Sequence, residues 1–186
     1  IRQITTCLNC EEVSYDVENI RAIYYKINEV IDRNNNYTSQ LGKDQAKAKK
    51  IPVIAYDRLI MNTDAVSYYA TFDNYKVGTI QGEYLVDKLG LKDRTKKNPV
   101  YMELFTGDPG DNNINFFFGG AMDILNPYIE SGVIVVPSKQ TSKAQCATLN
   151  WSTEEAQKRM ENLITSNGYG PKGAKLDAVY SSNDSC

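Results

Sequence analysis

Between Ile51 and Asn74 the chain passes through two short extended runs, and each ends in a polar pair. Ile51 to Ala55 leads into Asp57 and Arg58, and Val66 to Thr71 leads into Asp73 and Asn74. Apolar runs of this length, bounded by turn residues, read as strands of a parallel sheet. Ligands of such sheets collect just beyond the carboxyl ends of the strands. From Ile51 the order is strand, strand, helix, strand, helix, strand, helix, strand. The strands are expected at Val53–Tyr56, Val66–Phe72, Val100–Phe105, Val133–Val136 and Leu176–Tyr180. This alternation specifies an α/β chain with mostly parallel strands and helices on the sheet faces.

The helices carry their own punctuation. Asp73 or Asn74 is placed to cap a helix that ends at Gly90, with Val77, Ile80, Tyr84, Leu85 and Leu89 on its inner face. The loop TGDPGDNN, Thr106 to Asn113, opens a helix expected to run to about Leu125, with Pro127 just past its end. Ser152 and Glu155 have the spacing of a capping box for a helix from Thr153 to about Thr165. Upstream, Val17 to Ile31 has helical periodicity, and Thr38 or Ser39 opens a short helix to about Lys49. The final strand runs into Ser181 to Cys186 with no covering helix after it, so the sequence reads as truncated there and altered near its start.

Composition narrows the function. The chain has 186 residues, 41% hydrophobic and 24% charged, which suits one globular domain or two small ones. A net charge of -2 makes no electrostatic case for nucleic acid or an anionic membrane surface. The clusters Lys47, Lys49, Lys50 and Arg94, Lys96, Lys97 read as solvated loops and helix ends. No apolar run has the length of a membrane span, and no secretory leader pattern is present. Histidine is absent, which removes the usual general base and the commonest metal ligand. Cys7 and Cys10 form a C-x-x-C, but Cys146 and Cys186 are remote and single, so neither a zinc site nor a redox motif is expected. Dinucleotide, Walker and nucleophile-elbow motifs are missing. A glycosidase carboxylate pair drawn from Asp57, Asp111 and Asp184 is disfavoured, because Arg58 and the neighbouring amides favour ionised carboxylates. No catalytic residue, metal or cofactor is assigned.

Four polar groups follow strands or open helices: Asp57-Arg58, Asp111-Asn112-Asn113, Asn150-Trp151 and Asn183-Asp184. Together they supply carboxylates, a guanidinium, amides and the chain's single indole. Sugar hydroxyls each donate and accept, so carboxylates and amides satisfy them in pairs. A pyranose also has an apolar C–H face that packs on a flat ring, for which Trp151 is the candidate. Each group alone has a plainer explanation: a loop ion pair, a helix cap, a core tryptophan, a turn asparagine. Phe116, Phe117 and Phe118 cannot all face one way on a helix, and packing is the favoured role for them.

In order and spacing, VIAYDRLI, YYATFDNYKVG, KLGL, GDPGDNN with its Phe-rich helix, the Leu-Asn-Trp before a helix, and DAVYSSND resemble the periplasmic sugar-binding proteins of ABC transporters. The likeness is to the xylose-binding and multiple-monosaccharide-binding branch and covers roughly Ser39 to Cys186. It implies a two-lobed type I fold, incomplete in this chain: a partial N-terminal lobe over 1–73, of which 1–38 is not recognisable, and a partial C-terminal lobe over 74–186. It implies a monosaccharide of the xylose, glucose or galactose type bound in an interlobe cleft. Asp57 and Arg58 would come from the first lobe, and Asp111, Asn113, Trp151 and Asn183 from the second. It further implies a monomeric, non-enzymatic protein, periplasmic or lipid-anchored outside the cytoplasm. Its partners would be ABC permease subunits and a chemoreceptor, with no nucleic acid. The alternative is the effector domain of a LacI-type transcription regulator, which would need a helix-turn-helix ahead of it.

Overall fold

The structure, a computed structural model, describes residues 2–5 and 46–186. The expected Val17–Ile31 helix and the Cys7–Cys10 pair lie outside the described residues, as does the start of the helix leading to Lys49; residues 46–48 are helical. The chain divides into two units, Ile1–Phe72 and Asp73–Cys186. Each is described by itself.

The first unit holds a three-stranded parallel sheet of order β1-β3-β2. Its strands are β1 (Arg2–Thr5), β2 (Val53–Tyr56) and β3 (Val66–Thr71). β1 is an addition to the strands expected from sequence: Arg-Gln-Ile-Thr carries too little apolar character to stand out. β3 occupies the centre and pairs with both neighbours. Val53 pairs with Val66 but Ile54 with Tyr68, so Ser67 is an extra residue in β3. Such a bulge shifts the two-residue side-chain period by one. That is why Val66 is buried together with Tyr69 and Thr71 rather than with Tyr68. In β2 only Ala55 is buried, and Tyr56 is 79% exposed.

In the second unit β4 (Val100–Phe105) is the central strand of the parallel order β5-β4-β6, with β5 (Ile134–Val135) and β6 (Ala178–Ser181) at its sides. A strand between two helical layers is buried on both faces. Val100, Met102 and Leu104 face one layer and share a core with Val86, Leu91, Phe118, Ala121, Met122 and Leu125. Phe105 packs with Ala156 and Leu163 in a separate cluster. Glu103 is 0% exposed, which an unpartnered carboxylate would not tolerate. It accepts from the Ser138 N–H at 3.1 Å, the Ser138 hydroxyl at 2.6 Å and the Tyr169 hydroxyl.

Helix α1 (Asn74–Lys88) begins as expected: Asp73 caps it by accepting from the Lys76 N–H at 2.9 Å. Its inner face matches the expectation at Leu85 and Leu89, which pack against the core, and differs elsewhere. Ile80 and Tyr84 are 53% and 59% exposed, and the buried residues are Asn74, Gly78, Gly82 and Val86. Their spacing of four is a helical stripe of small residues, along which a second helix comes close. That helix is α2 (Asn113–Glu130). A methyl group at Gly78 would overlap the Phe117 carbonyl oxygen, and one at Gly120 the Tyr75 carbonyl oxygen. At the end of the crossing the buried Asn74 amide donates to Asn113 Oδ1 at 3.1 Å.

α2 also runs past its expected end. Pro127 lies inside it, and the helix continues to Glu130. Proline removes one N–H near the helix terminus, while Leu125 is buried and Tyr128 and Ile129 pack against the core, so the last turn stays helical. β5 is shorter than expected, Ile134–Val135, although Val133 and Val136 flanking it are buried. The short helix α3 (Lys143–Cys146) opens with a complete capping box, Ser142 with Gln145. Helix α4 (Thr153–Asn167) opens with half of the one expected there: Ser152 accepts from the Glu155 N–H, while the Glu155 carboxylate pairs with Lys158. Gly168, at φ +67°, ends α4. Among the described residues no helix is long and apolar enough to cross a membrane.

Candidate functional site

Asp57 follows β2 directly and takes φ +64°, a left-handed conformation. Aspartate tolerates this region better than most residues, at a cost of roughly 1–2 kcal/mol. Its main chain is held on three sides. The Asp57 N–H donates to Ala70 O at 2.9 Å, and its carbonyl accepts from the Tyr69 and Thr71 hydroxyls, each at 3.1 Å. Arg58 N–H turns back to Tyr56 O at 2.7 Å. The two side chains stand at the outer limit of an ion pair, Arg58 Nε 4.0 Å from Asp57 Oδ2, and both remain substantially exposed. This is a sharp, anchored turn at a strand's carboxyl end, presenting a carboxylate beside a guanidinium.

In the second unit the carboxyl end of β4 opens into the Thr106–Asn113 loop, and the structure brings Asp111, Asn113 and Trp151 together there. Asp111 Oδ1 accepts from the Asn113 N–H at 2.9 Å, which sets this carboxylate at the positive N-terminal end of α2. Asp111 Oδ2 accepts from the Trp151 indole N–H at 3.1 Å. Trp151 sits in a 3-10 turn, Leu149–Trp151, in which Asn150 and Trp151 have φ +56° and +53°. Its ring lies against Gly107, where a methyl group would overlap the six-membered ring. The Phe117 ring lies near-perpendicular to it, with centroids 6.5 Å apart at 87°. The three phenylalanines therefore part ways: Phe118 enters the core against Tyr180, Phe117 props Trp151, and Phe116 is exposed.

Asn183 lies past the end of β6, on the same edge of the sheet. Its amide oxygen accepts from the Ser185 and Cys186 N–H groups at 3.1 and 3.0 Å, forming a turn. It is linked to the β4 loop through its neighbour Ser182, which is buried, with the Ser182 and Thr106 hydroxyls 2.9 Å apart. Gln81 and Tyr180 complete this network: Gln81 donates to Ser182 O at 3.1 Å, and the Tyr180 hydroxyl donates to Gln81 at 3.1 Å. Burial pushes the Tyr180 hydroxyl up to about 12 and keeps it neutral.

Sequence reasoning missed Thr106, Gly107, Asp108, Gln81 and Ser182. Asp108 Oδ1 accepts from the Gly110 N–H at 2.7 Å, and Asp108 Oδ2 accepts from the Asn150 N–H, next to Trp151. The signal was present in GDPG, but it is identical to that of an ordinary turn. Among the described residues no group of histidines, cysteines or carboxylates is arranged to hold a metal ion.

Acceptors, amides and a fixed indole thus collect at the carboxyl ends of parallel strands, where such sheets place a binding site. Comparison with known proteins gives the class: the profile of the periplasmic binding protein domain matches residues 39–185, and the chain belongs to this family. It is similar to the multiple sugar-binding periplasmic protein SbpA of Azospirillum brasilense, 51% identical over 140 residues, covering 75% of this chain and 38% of that protein. The D-xylose-binding periplasmic protein of Escherichia coli is 38% identical over 155 residues, covering 83% of this chain and 41% of its own. A solved ABC transporter solute binding protein from Clostridium phytofermentans, with bound β-D-glucose, superposes with a TM-score of 0.75 at 54% identity. That match covers 89% of this chain and 52% of the other. The chain thus spans less than half the length of these curated relatives and about half of the solved one.

Proposed function

We propose that this chain is part of an extracytoplasmic solute-binding protein that captures a monosaccharide and delivers it, chemically unchanged, to the permease subunits of an ABC transporter. The carrying observation is the indole of Trp151, fixed edgewise by Asp111 beside Asn113 at the carboxyl end of β4. An aromatic plane for the C–H face of a sugar and acceptors for its hydroxyls are the two things such a ligand requires. The relatives' names, multiple sugar-binding and D-xylose-binding, and the glucose in the solved relative support this ligand class. They favour uptake over a transcription regulator.

In this reading Ile1–Phe72 and Asp73–Cys186 are parts of the N- and C-terminal lobes. Asp57 and Arg58 bond hydroxyls from the first, and Asp111, Asn113 and Asn183 from the second, with Trp151 stacking on the ring. Sugar favours whichever lobe arrangement it binds better, and the permease reads that population. In this reading the protein acts as a monomer, and a chemoreceptor is a further candidate partner. Anchoring by a lipid would replace a periplasm in a cell with a single membrane.

Calorimetric titration with D-glucose and D-xylose tests the proposal. In the full-length protein, Trp151→Ala and Asp57→Ala are each expected to weaken binding severely while the thermal transition survives. Removing one charged hydrogen-bonding group costs about 1.5–3 kcal/mol, or about 10- to 150-fold in Kd. Wild-type affinity in either variant would sink the site assignment, and release of nitrophenol from nitrophenyl glycosides would sink the non-enzymatic role.

A further inference from the structure

We propose that Gly107 and Asp108 are positioning residues that set the plane of the Trp151 indole before sugar arrives. The inference rests on the stacking role given to Trp151 above. Trp151 is only partly buried, yet it is constrained in several independent ways. The Gly107 Cα lies under the six-membered ring, where any side chain would collide with three ring carbons at once. The indole N–H is held by Asp111, and the Phe117 ring stands near-perpendicular to the indole at 6.5 Å. The backbone is constrained as well. Asn150 and Trp151 are consecutive non-glycine residues in the left-handed region, a pairing that persists only when its surroundings enforce it. Asp108 does so by spanning the Gly110 and Asn150 N–H groups with its two oxygens. The Thr148 N–H donates to Gly107 O at 3.0 Å and the Trp151 N–H to Thr148 O at 3.2 Å, which fastens the turn to the same loop.

A core tryptophan is fixed by being surrounded. This one is fixed by its N–H, by Gly107 against its six-membered ring and by its main chain, so the ring orientation is specified while part of the residue stays open to solvent. Stacking on a sugar needs that orientation, because an indole free to rotate must be immobilised on binding. Immobilising one such side chain weakens binding by about two- to tenfold. Asp108 therefore acts through Trp151 and makes no sugar contact in this account.

The test uses the chain's single tryptophan as reporter. In sugar-free protein, Asp108→Ala is expected to raise the acrylamide quenching and lower the fluorescence anisotropy of Trp151. It is also expected to weaken D-glucose binding by about two- to tenfold in calorimetry. Asp108→Asn, which keeps an acceptor for the Asn150 N–H, restores most of both. In a Trp151→Ala background, Asp108→Ala has no further effect on Kd. Gly107→Ala changes fluorescence and Kd in the same directions, and the Asp108 series decides the matter if Gly107→Ala does not fold. The inference is overturned if Asp108→Ala leaves quenching and Kd unchanged, or shifts Kd equally with and without Trp151. The sugar-stacking reading itself fails differently: Trp151→Ala alone would then bind glucose with wild-type affinity, and the inference would fall with it.

Discussion

Gly119 and Gly120 are neighbours in α2 with opposite surroundings, and replacing each by alanine isolates the value of the close crossing between α1 and α2. Both variants gain the same helix propensity, about 0.5–1 kcal/mol for Gly→Ala in a helix interior. At Gly119 the new methyl group meets nothing within 4 Å, so that gain stands. At Gly120 it would lie on the Tyr75 carbonyl oxygen and 3.0 Å from the Thr79 nitrogen. Ordinary carbon contacts begin near about 3.5 Å, so the two backbones must move apart by roughly 1 Å or more. A rigid helix backbone yields less readily than a side chain, and overpacking of this kind costs about 1–3 kcal/mol. Propensity cancels between the two variants, so the difference between them is the crossing term alone. At about 2–4 °C per kcal/mol for a chain of this size, Gly120→Ala should melt about 2–12 °C below Gly119→Ala. Urea melts followed by Trp151 fluorescence report on the second unit, which contains the crossing. Equal midpoints for the two variants would refute the argument that backbone contact at these glycines holds the helices together.

Stability should fall at alkaline pH. Burial pushes the Cys146 thiol up to about 11, against an opposing pull from Arg159, whereas an unfolded thiol ionises near about 8.5. Between those values the unfolded chain sheds a proton that the folded chain keeps, so stability present below about pH 8.5 declines by up to about 1.4 kcal/mol per pH unit. Urea midpoints at pH 8 and 10 should show this, with a shallower decline in Cys146→Ala; identical slopes would refute it. Asp73→Ala removes the cap of α1 and should cost about 0.5–2 kcal/mol in the same melts, with Asp73→Ser recovering most of the loss.

The parts of the fold legible in sequence are those whose burial is carried by large apolar side chains. Val100 to Phe105 reads as a strand because both of its faces are covered, and Ser152 announces α4 because a side-chain oxygen at a helix start has few other uses. The inner face of α1 was illegible for the converse reason. Hydrophobic periodicity selects Ile80 and Tyr84, while the buried stripe is Asn74, Gly78, Gly82 and Val86, whose small members score as nothing. Pro127 misled because the rule against internal proline assumes a helix with no tertiary support for its final turn. In the site, Asp111, Asn113 and Trp151 stood out by residue type, and the structure joins them. Asp108 and Gly107 did not, because their partners lie about forty residues away and a turn would employ the same letters.

The anchoring of Asp57 separates the shape of its turn from the identity of its side chain. Tyr69 and Thr71 grip a carbonyl oxygen, an atom every residue has, and Ala70 receives a main-chain N–H. These main-chain anchors thus ask of position 57 a tolerance of a left-handed backbone, which glycine and asparagine also have. If Asp57 bonds sugar hydroxyls as proposed, the group offered at this corner can be exchanged while the main-chain anchors stay, with the loop serving as a socket that outlasts the plug.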